Sequence, residues 1–208
     1  MQQALCLCAL LPTIATRTRV IVLLHQLEAR KTSNTGRLAH QCLPNSELHL
    51  RGNLPEEGSD RDDTKTAPAW LTGATRPVLL FPDPDAQLLD HRWHDLPEPM
   101  TLVVPDGTWS QAIRARKRIK GLSEIPCVAL PDDTVSTYRL RHDPRAGHVS
   151  TMEAIAHALG VLEGAQVREA LLAVHRVAVE RTLFSKGVLS AAEVTGGVPM
   201  GPPEPRRA

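Results

Sequence analysis

Apolar residues in this chain gather in short unbroken runs separated by longer segments of mixed polarity. Arg19–His25 (RVIVLLH) sets the pattern, with five consecutive Val, Ile and Leu residues and no alternation. A strand with one face in water alternates, so this run predicts a strand covered on both faces. Pro77–Pro82 (PVLLFP), Met100–Pro105 (MTLVVP) and Pro126–Pro131 (PCVALP) repeat it, ending at prolines that cannot donate to a sheet ladder. Glu47–Asn53 (ELHLRGN) reads as a further strand leaving into a loop. Thr35–Leu43 (TGRLAHQCL) reads as a short helix with Thr35 at its N-cap. The intervening segments are long enough for crossover helices, so the expected fold is α/β, a mostly parallel sheet flanked by helices. In such sheets ligands lie outside the carboxyl ends of the strands, which here carry His25, Phe81–Pro82 and Asp106–Gly107.

Two helices are expected to close the domain. Ser150, with Glu153 three residues on, forms a capping box ahead of the first. Val167, Leu171, Val174, Ala178 and Leu183 recur at near-helical spacing over the second. Leu54–Thr75 is polar, acidic and broken by Pro and Gly, which predicts a mobile surface insertion, and the Gly/Pro-rich C-terminus predicts a disordered tail. These boundaries give an N-terminal Cys-containing segment (1–18), one domain (19–187) and a tail (188–208).

The 208 residues hold 24 Lys and Arg against 23 Asp and Glu, so net charge names no partner, whereas its distribution does. Glu56–Asp63 collects five acids with one Arg, and Arg114–Lys120 collects five bases with no acid. Arg114 with Arg118, and Arg116 with Lys120, are like charges four apart, each pair costing roughly 0.2–0.5 kcal/mol on a helix. Contacts to nucleic-acid phosphates would offset that cost; the plainer reading is a solvated face. No apolar run approaches the roughly 20 residues of a membrane span. Ala9–Leu11 is too short for a secretory signal, so a cytoplasmic protein without a membrane partner is expected. Cys6–Leu7–Cys8 offers two thiolates, half of the four ligands of a structural zinc site; the alternative is a pair of partly buried thiols.

Asp106–Gly107–Thr108–Trp109 stands between a buried strand and the basic segment. Thr108 with Gln111 makes a capping box, and Gly107 permits a sharp turn, which accounts for part of the motif structurally. Nothing in that account requires Trp109. In a chain with six aromatic side chains (three Trp, two Phe, one Tyr), an indole at a helix start suggests stacking on a ring. Thr32–Leu38 lacks the spacing of a phosphate loop, and no G-x-G-x-x-G occurs. Tyr138–Arg141 (YRLR) alternates like an edge strand.

Taken in order, these segments resemble the DTW-domain family, named for an Asp-x-Thr-Trp signature that Asp106–Trp109 matches. Cys6–Pro12 looks like the family's C-x-C region, and LLHQLEARKTSNTGRLA looks like its H-P-x-E stretch followed by T-N-T-G-R-L. Arg51–Gly52, Leu80–Pro82, Tyr138-x-Leu140–Arg141 and Ser150–Thr151-x-Glu153–Ala154 fit its later blocks, so the likeness runs from Cys6 to Gly160. It implies transfer of the 3-amino-3-carboxypropyl group of S-adenosylmethionine to N3 of a uridine in tRNA. It also implies a SPOUT-like fold whose cofactor sits among the loops of a C-terminal knot. An RNA methyltransferase with the same cofactor, or a non-enzymatic RNA-binding module, are the rival readings. Two departures stand out. Gln26 replaces the family's Pro after His25, and the cysteines that family members carry ahead of the C-x-C have no counterpart here, leaving Cys6 and Cys8 as a partial zinc site.

On this reading Asp106 and Trp109 are the catalytic candidates. Asp106 takes or orients the uridine proton, or holds the cofactor's amino group; beside a helix N-terminus it is expected to stay ionised. Trp109 stacks on adenine or on the target base. Leu80, Phe81, Gly107, Thr108, Arg139, Arg141, Ser150, Thr151 and Glu153 are expected at the cofactor, with an Arg (Arg37, Arg139 or Arg141) on its carboxylate. His25, Glu28, Asn34, Thr35 and Arg37 are expected at the substrate, with Arg114, Arg116, Lys117 and Arg118 on tRNA phosphates rather than DNA.

Overall fold

A computed structural model describes residues 5–52, 66–94, 96–131, 134, 136–138, 140 and 149–199. Strands β1 (Arg19–His25), β2 (Ser46–Arg51), β3 (Pro77–Leu80), β4 (Gln87–Leu88), β5 (Thr101–Asp106) and β6 (Cys127–Ala129) form one sheet in the order β2-β1-β5-β3-β6-β4. Every pairing is parallel, with Val22 opposite both Leu48 and Val104. All the carboxyl ends therefore reach one rim.

Both faces are covered, which is why the apolar runs do not alternate. Val20, Val22, Val78, Leu80, Leu102 and Val104 pack against α2 (Thr35–Cys42), α5 (Thr151–Leu162) and α6 (Ala165–Ser185). Ile21, Leu23, Leu79, Phe81 and Val103 pack on the other side against Ala112 and Ala115 of α4 (Trp109–Arg118) and against Ile119. From Val20 to Leu24 no residue is more than 1% exposed, so each contributes about 1.5–3 kcal/mol of burial. Two single helical turns, α1 (Gln26–Ala29) and α3 (Ala69–Thr72), complete the described elements apart from short 3-10 turns.

Several expectations need correction. Asn34, not Thr35, caps α2: its extended backbone lets its side chain accept from the Arg37 N–H, and Thr35 is already helical. Tyr138 lies in no strand and Leu140 in a turn, and the Glu153 side chain of α5, not a sheet ladder, holds Ser136 and Thr137 just before them; Arg139 and Arg141 lie outside the described residues. The short edge strand β4 has no apolar signature, since both its residues are exposed. Residues 54–65 of the expected insertion, and Asn53 of the expected strand before it, lie outside the described residues, and the rest of the insertion contains α3. The expected tail instead folds back as far as 199: Val194 is buried, and Arg181 donates to the Gly197 carbonyl at 3.1 Å. No described helix is long and apolar enough to cross a membrane.

Candidate active site

The rim of the sheet opens into a cavity of about 610 Å³, within the range typical of small-molecule sites. The ends of β3, β5 and β6 form its floor, and the starts of α2, α4 and α5 converge on it.

Asp106, the last residue of β5, is 6% exposed and joins two of these elements. Its Oδ2 accepts from Asn34 Nδ2 at 2.7 Å, and its Oδ1 from Thr151 Oγ1 at 2.6 Å. Gly36 makes room for it, since a Cβ there would stand 2.4 Å from Oδ2. Its pKa is raised, not lowered as its position near a helix start suggested. Burial raises its pKa and so does the Glu28 charge, against the hydrogen bonds from Thr151 and Asn34 and the charge of Arg51. The helix N-terminus belongs to Thr108, which caps α4 with Gln111 in a reciprocal box, and Asp106 lies beneath it.

Trp109 is 45% exposed on the cavity wall and meets Phe81 edge to face, with centroids 5.8 Å apart and planes at 69°. Arg116 lies over the Phe81 ring at 5.8 Å and pairs with Asp83, so this base turns inward instead of standing on the surface with Arg114, Lys117 and Arg118.

Glu153 is fully occupied within the fold. Its carboxylate accepts from Ser150 N at 2.7 Å, Thr137 N at 2.6 Å, Thr137 Oγ1 at 3.0 Å and Ser136 Oγ at 2.9 Å. Burial alone would raise this group, but the N–H donors of Ser150 and Thr137, the His175 charge and the Ser136 hydroxyl together hold it below its ordinary value. The bonds pin the segment carrying Tyr138, whose ring lies 5.5 Å from that of His175. Ser150 Oγ contacts His175 Nε2 at 3.0 Å.

Of the predicted residues, Glu28, Asn34, Thr35, Leu80, Phe81, Asp106, Gly107, Thr108, Trp109, Ser150 and Thr151 meet at this cavity. Glu28 is there as an ion pair with Lys31 at 2.7 Å. His25, Arg114 and Arg118 line a separate cavity instead. Arg37 donates to the Ala29 carbonyl and Lys117 is exposed; neither lines either of these two cavities. Cys6 and Cys8 lie away from both cavities, and the Cys8 backbone and thiol lower the Cys6 pKa. Among the described residues no group of three His, Cys, Asp or Glu side chains could hold a metal ion.

His175 and Arg51 escaped sequence reasoning. His175 is buried on the inner side of α6, one turn from Leu171, and looked like part of the apolar stripe. Arg51, 3% exposed, donates to the carbonyls of Leu23 and Gln111 beneath the Asp106 corner. The Arg51–Gly52 match was the one signal for it.

The family model of the DTW domain matches residues 1–183. A curated relative from Arabidopsis thaliana, tRNA-uridine aminocarboxypropyltransferase A, is 30% identical over 202 residues, covering 82% of this chain and 74% of that protein. tRNA-uridine aminocarboxypropyltransferase 2 of Macaca fascicularis is 29% identical and that of Mus musculus 30%. Each match covers 77% of this chain and 54% of the relative, so the chain spans about half the length of those two proteins. No solved structure matches. With the Asp-Gly-Thr-Trp corner at the mouth of the cavity and the family's blocks around it, the chain belongs to the DTW-domain family.

Proposed function

We propose that this chain is a tRNA-uridine aminocarboxypropyltransferase that moves the 3-amino-3-carboxypropyl group of S-adenosylmethionine to N3 of a uridine. The observation that carries the reading is a buried carboxyl of raised pKa, Asp106, next to an exposed indole, Trp109, at one mouth. The relatives' names supply the reaction class. A SPOUT-like topology agrees with β5 inserted between β1 and β3, and with two C-terminal helices packed back over the sheet. With tRNA as substrate, the expected setting is the cytoplasm.

The residues present fit a sulfonium nucleoside. Leu80, Val128 and Leu130 offer apolar walls for a purine, while Asp106 and Glu28 offer carboxylates to an ammonium group. When bound, the sulfonium supplies an activated carbon. In the transfer, uridine N3 loses its proton, the N3–C bond forms, the C–S bond breaks, and the electron pair stays on sulfur as a neutral thioether. Asp106, with its pKa above that of an ordinary carboxylate, is the residue to accept that proton, and the two donors on its oxygens fix its direction. Trp109 presents a ring face on which the displaced base stacks.

Incubating unmodified tRNA with S-adenosylmethionine and analysing nucleosides by mass spectrometry tests this. Uridine should gain one aminocarboxypropyl group, and Asp106→Asn should lower the rate by about 100-fold or more. A methyl gain, or an equally active Asn variant, overturns the assignment.

A further inference from the structure

The lining of the 610 Å³ cavity is polarised along the rim of the sheet. Because β5 lies between β1 and β3, Asp106 at its end stands midway between the segment that follows β1 and the ends of β3 and β6. Leu80, Val128 and Leu130 make the β3–β6 end apolar, whereas Glu28 and Lys31, from the turn after β1, make the opposite end charged. Neighbouring strands lie about 4.8 Å apart, so β1 and β6 are separated by roughly 14 Å along the rim.

Among the described residues lining this cavity, Glu28, Lys31 and Asp106 are the acidic and basic ones, and Lys31 is the only base. Arg37, expected on the donor's carboxylate, is turned to the Ala29 carbonyl and does not line it. The Lys31 N–H donates to the Glu28 carbonyl at 3.0 Å, a turn that keeps the two side chains together. Lys31 Nζ and Glu28 Oε1 pair at 2.7 Å, with side chains 58% and 18% exposed. A pair this open to water contributes little, so it separates at little cost. The charge of Glu28 also reaches Asp106, where it helps to raise the pKa. An α-amino acid carries an ammonium beside a carboxylate, the charge complement of this pair.

We propose that the amino-acid end of the donor parts the Glu28–Lys31 ion pair and inserts into it, with its carboxylate on Lys31 and its ammonium on Glu28. The inference rests on the reading of the cavity as a site for a sulfonium nucleoside and adds to it the residues that recognise the group to be transferred. With the purine against Leu80, Val128 and Leu130, this clasp draws the carbon chain across the end of β5. The carbon on sulfur then lies over Asp106, whose carboxyl stays available for the uridine proton.

Calorimetry with two ligands tests the clasp. S-adenosylhomocysteine keeps the amino-acid end and carries no sulfonium to react; 5′-methylthioadenosine, the thioether that the transfer leaves behind, lacks that end. The full chain should bind the first about 100-fold more tightly than the second. Lys31→Gln and Glu28→Gln should each weaken S-adenosylhomocysteine about tenfold and leave 5′-methylthioadenosine and the urea midpoint unchanged. The double variant should lose the preference altogether, and Lys31→Arg should keep most of it. Equal losses for both ligands, or unchanged S-adenosylhomocysteine binding in Lys31→Gln, overturn the clasp. The expected binding pattern in a chain that transfers nothing to tRNA would sink the proposed reaction and leave the clasp standing. Aminocarboxypropyl transfer with both Gln variants binding like wild type would do the reverse, and a wild-type chain with no affinity for S-adenosylhomocysteine removes both.

Discussion

Asp106 holds two hydrogen-bond donors and Glu153 holds four, and this difference gives two buried carboxyls opposite responses to pH. Asp106 is raised, so its contribution to stability is complete below the ordinary Asp pKa and is lost as pH climbs through the raised value. Glu153 is lowered, so its contribution is present above the ordinary Glu pKa and is lost as pH falls through the depressed value. Asp106→Asn should therefore gain stability relative to wild type as pH rises from acid toward neutral. At neutral pH it should be at least as stable while turnover collapses. Glu153→Gln should show the opposite trend and at neutral pH cost about 1–3 kcal/mol, since two of the donors are backbone N–H groups left without an ionised acceptor. Urea titration of both variants across the acid-to-neutral range checks the pair; parallel curves for the two would contradict the opposed shifts. The Ser150–Glu153 box was legible because its partners are three residues apart. The fate of Asp106 was not, because its partners lie 72 and 45 positions away.

At the scale of elements, α2 carries a glycine in its first turn where helix propensity alone would prefer alanine by about 0.5–1 kcal/mol. A Cβ on Gly36 would meet Asp106 Oδ2 at 2.4 Å and Val22 Cγ1 at 3.1 Å, so packing opposes propensity. Gly36→Ala should lose about 1–3 kcal/mol by denaturant midpoint, with the loss partly recovered when Asp106→Gly is combined with it. Additive losses would show that the helix and the β5 corner are not in contact in solution. The strands themselves were readable because two covered faces demand continuous apolar runs. β4 was not, because an exposed two-residue edge strand has no core to declare it.

Across the whole molecule the two ends of the described chain are clamped by one buried side chain. Arg181 of α6, 4% exposed, donates through Nη1 to the Cys6 carbonyl and through Nη2 to the Gly197 carbonyl. Glu163, just beyond α5, accepts from the Thr18 N–H at 2.8 Å and the Arg17 N–H at 3.1 Å, fixing the entry to β1. Arg181→Met should lower stability by about 2 kcal/mol, about 4–8 °C in Tm for a chain of this size, and leave S-adenosylmethionine affinity unchanged by calorimetry. A variant that loses donor binding without losing Tm would mean that α6 shapes the cavity directly rather than closing the fold.

Local chemistry settled what sequence alone could settle. Apolar continuity marked the doubly covered strands, box residues marked the starts of α4 and α5, and the order of short motifs carried the likeness to the DTW domain. Tertiary structure decided which of those motif residues face a ligand and which hold the protein together. Asn34 and Thr151 close on Asp106, Glu153 spends its carboxylate on the Ser136–Thr137 segment, and Arg116 leaves the basic face for Asp83. The reason is physical: burial and long-range hydrogen bonds set the charge and direction of a side chain, and neither exists until segments far apart along the chain have packed.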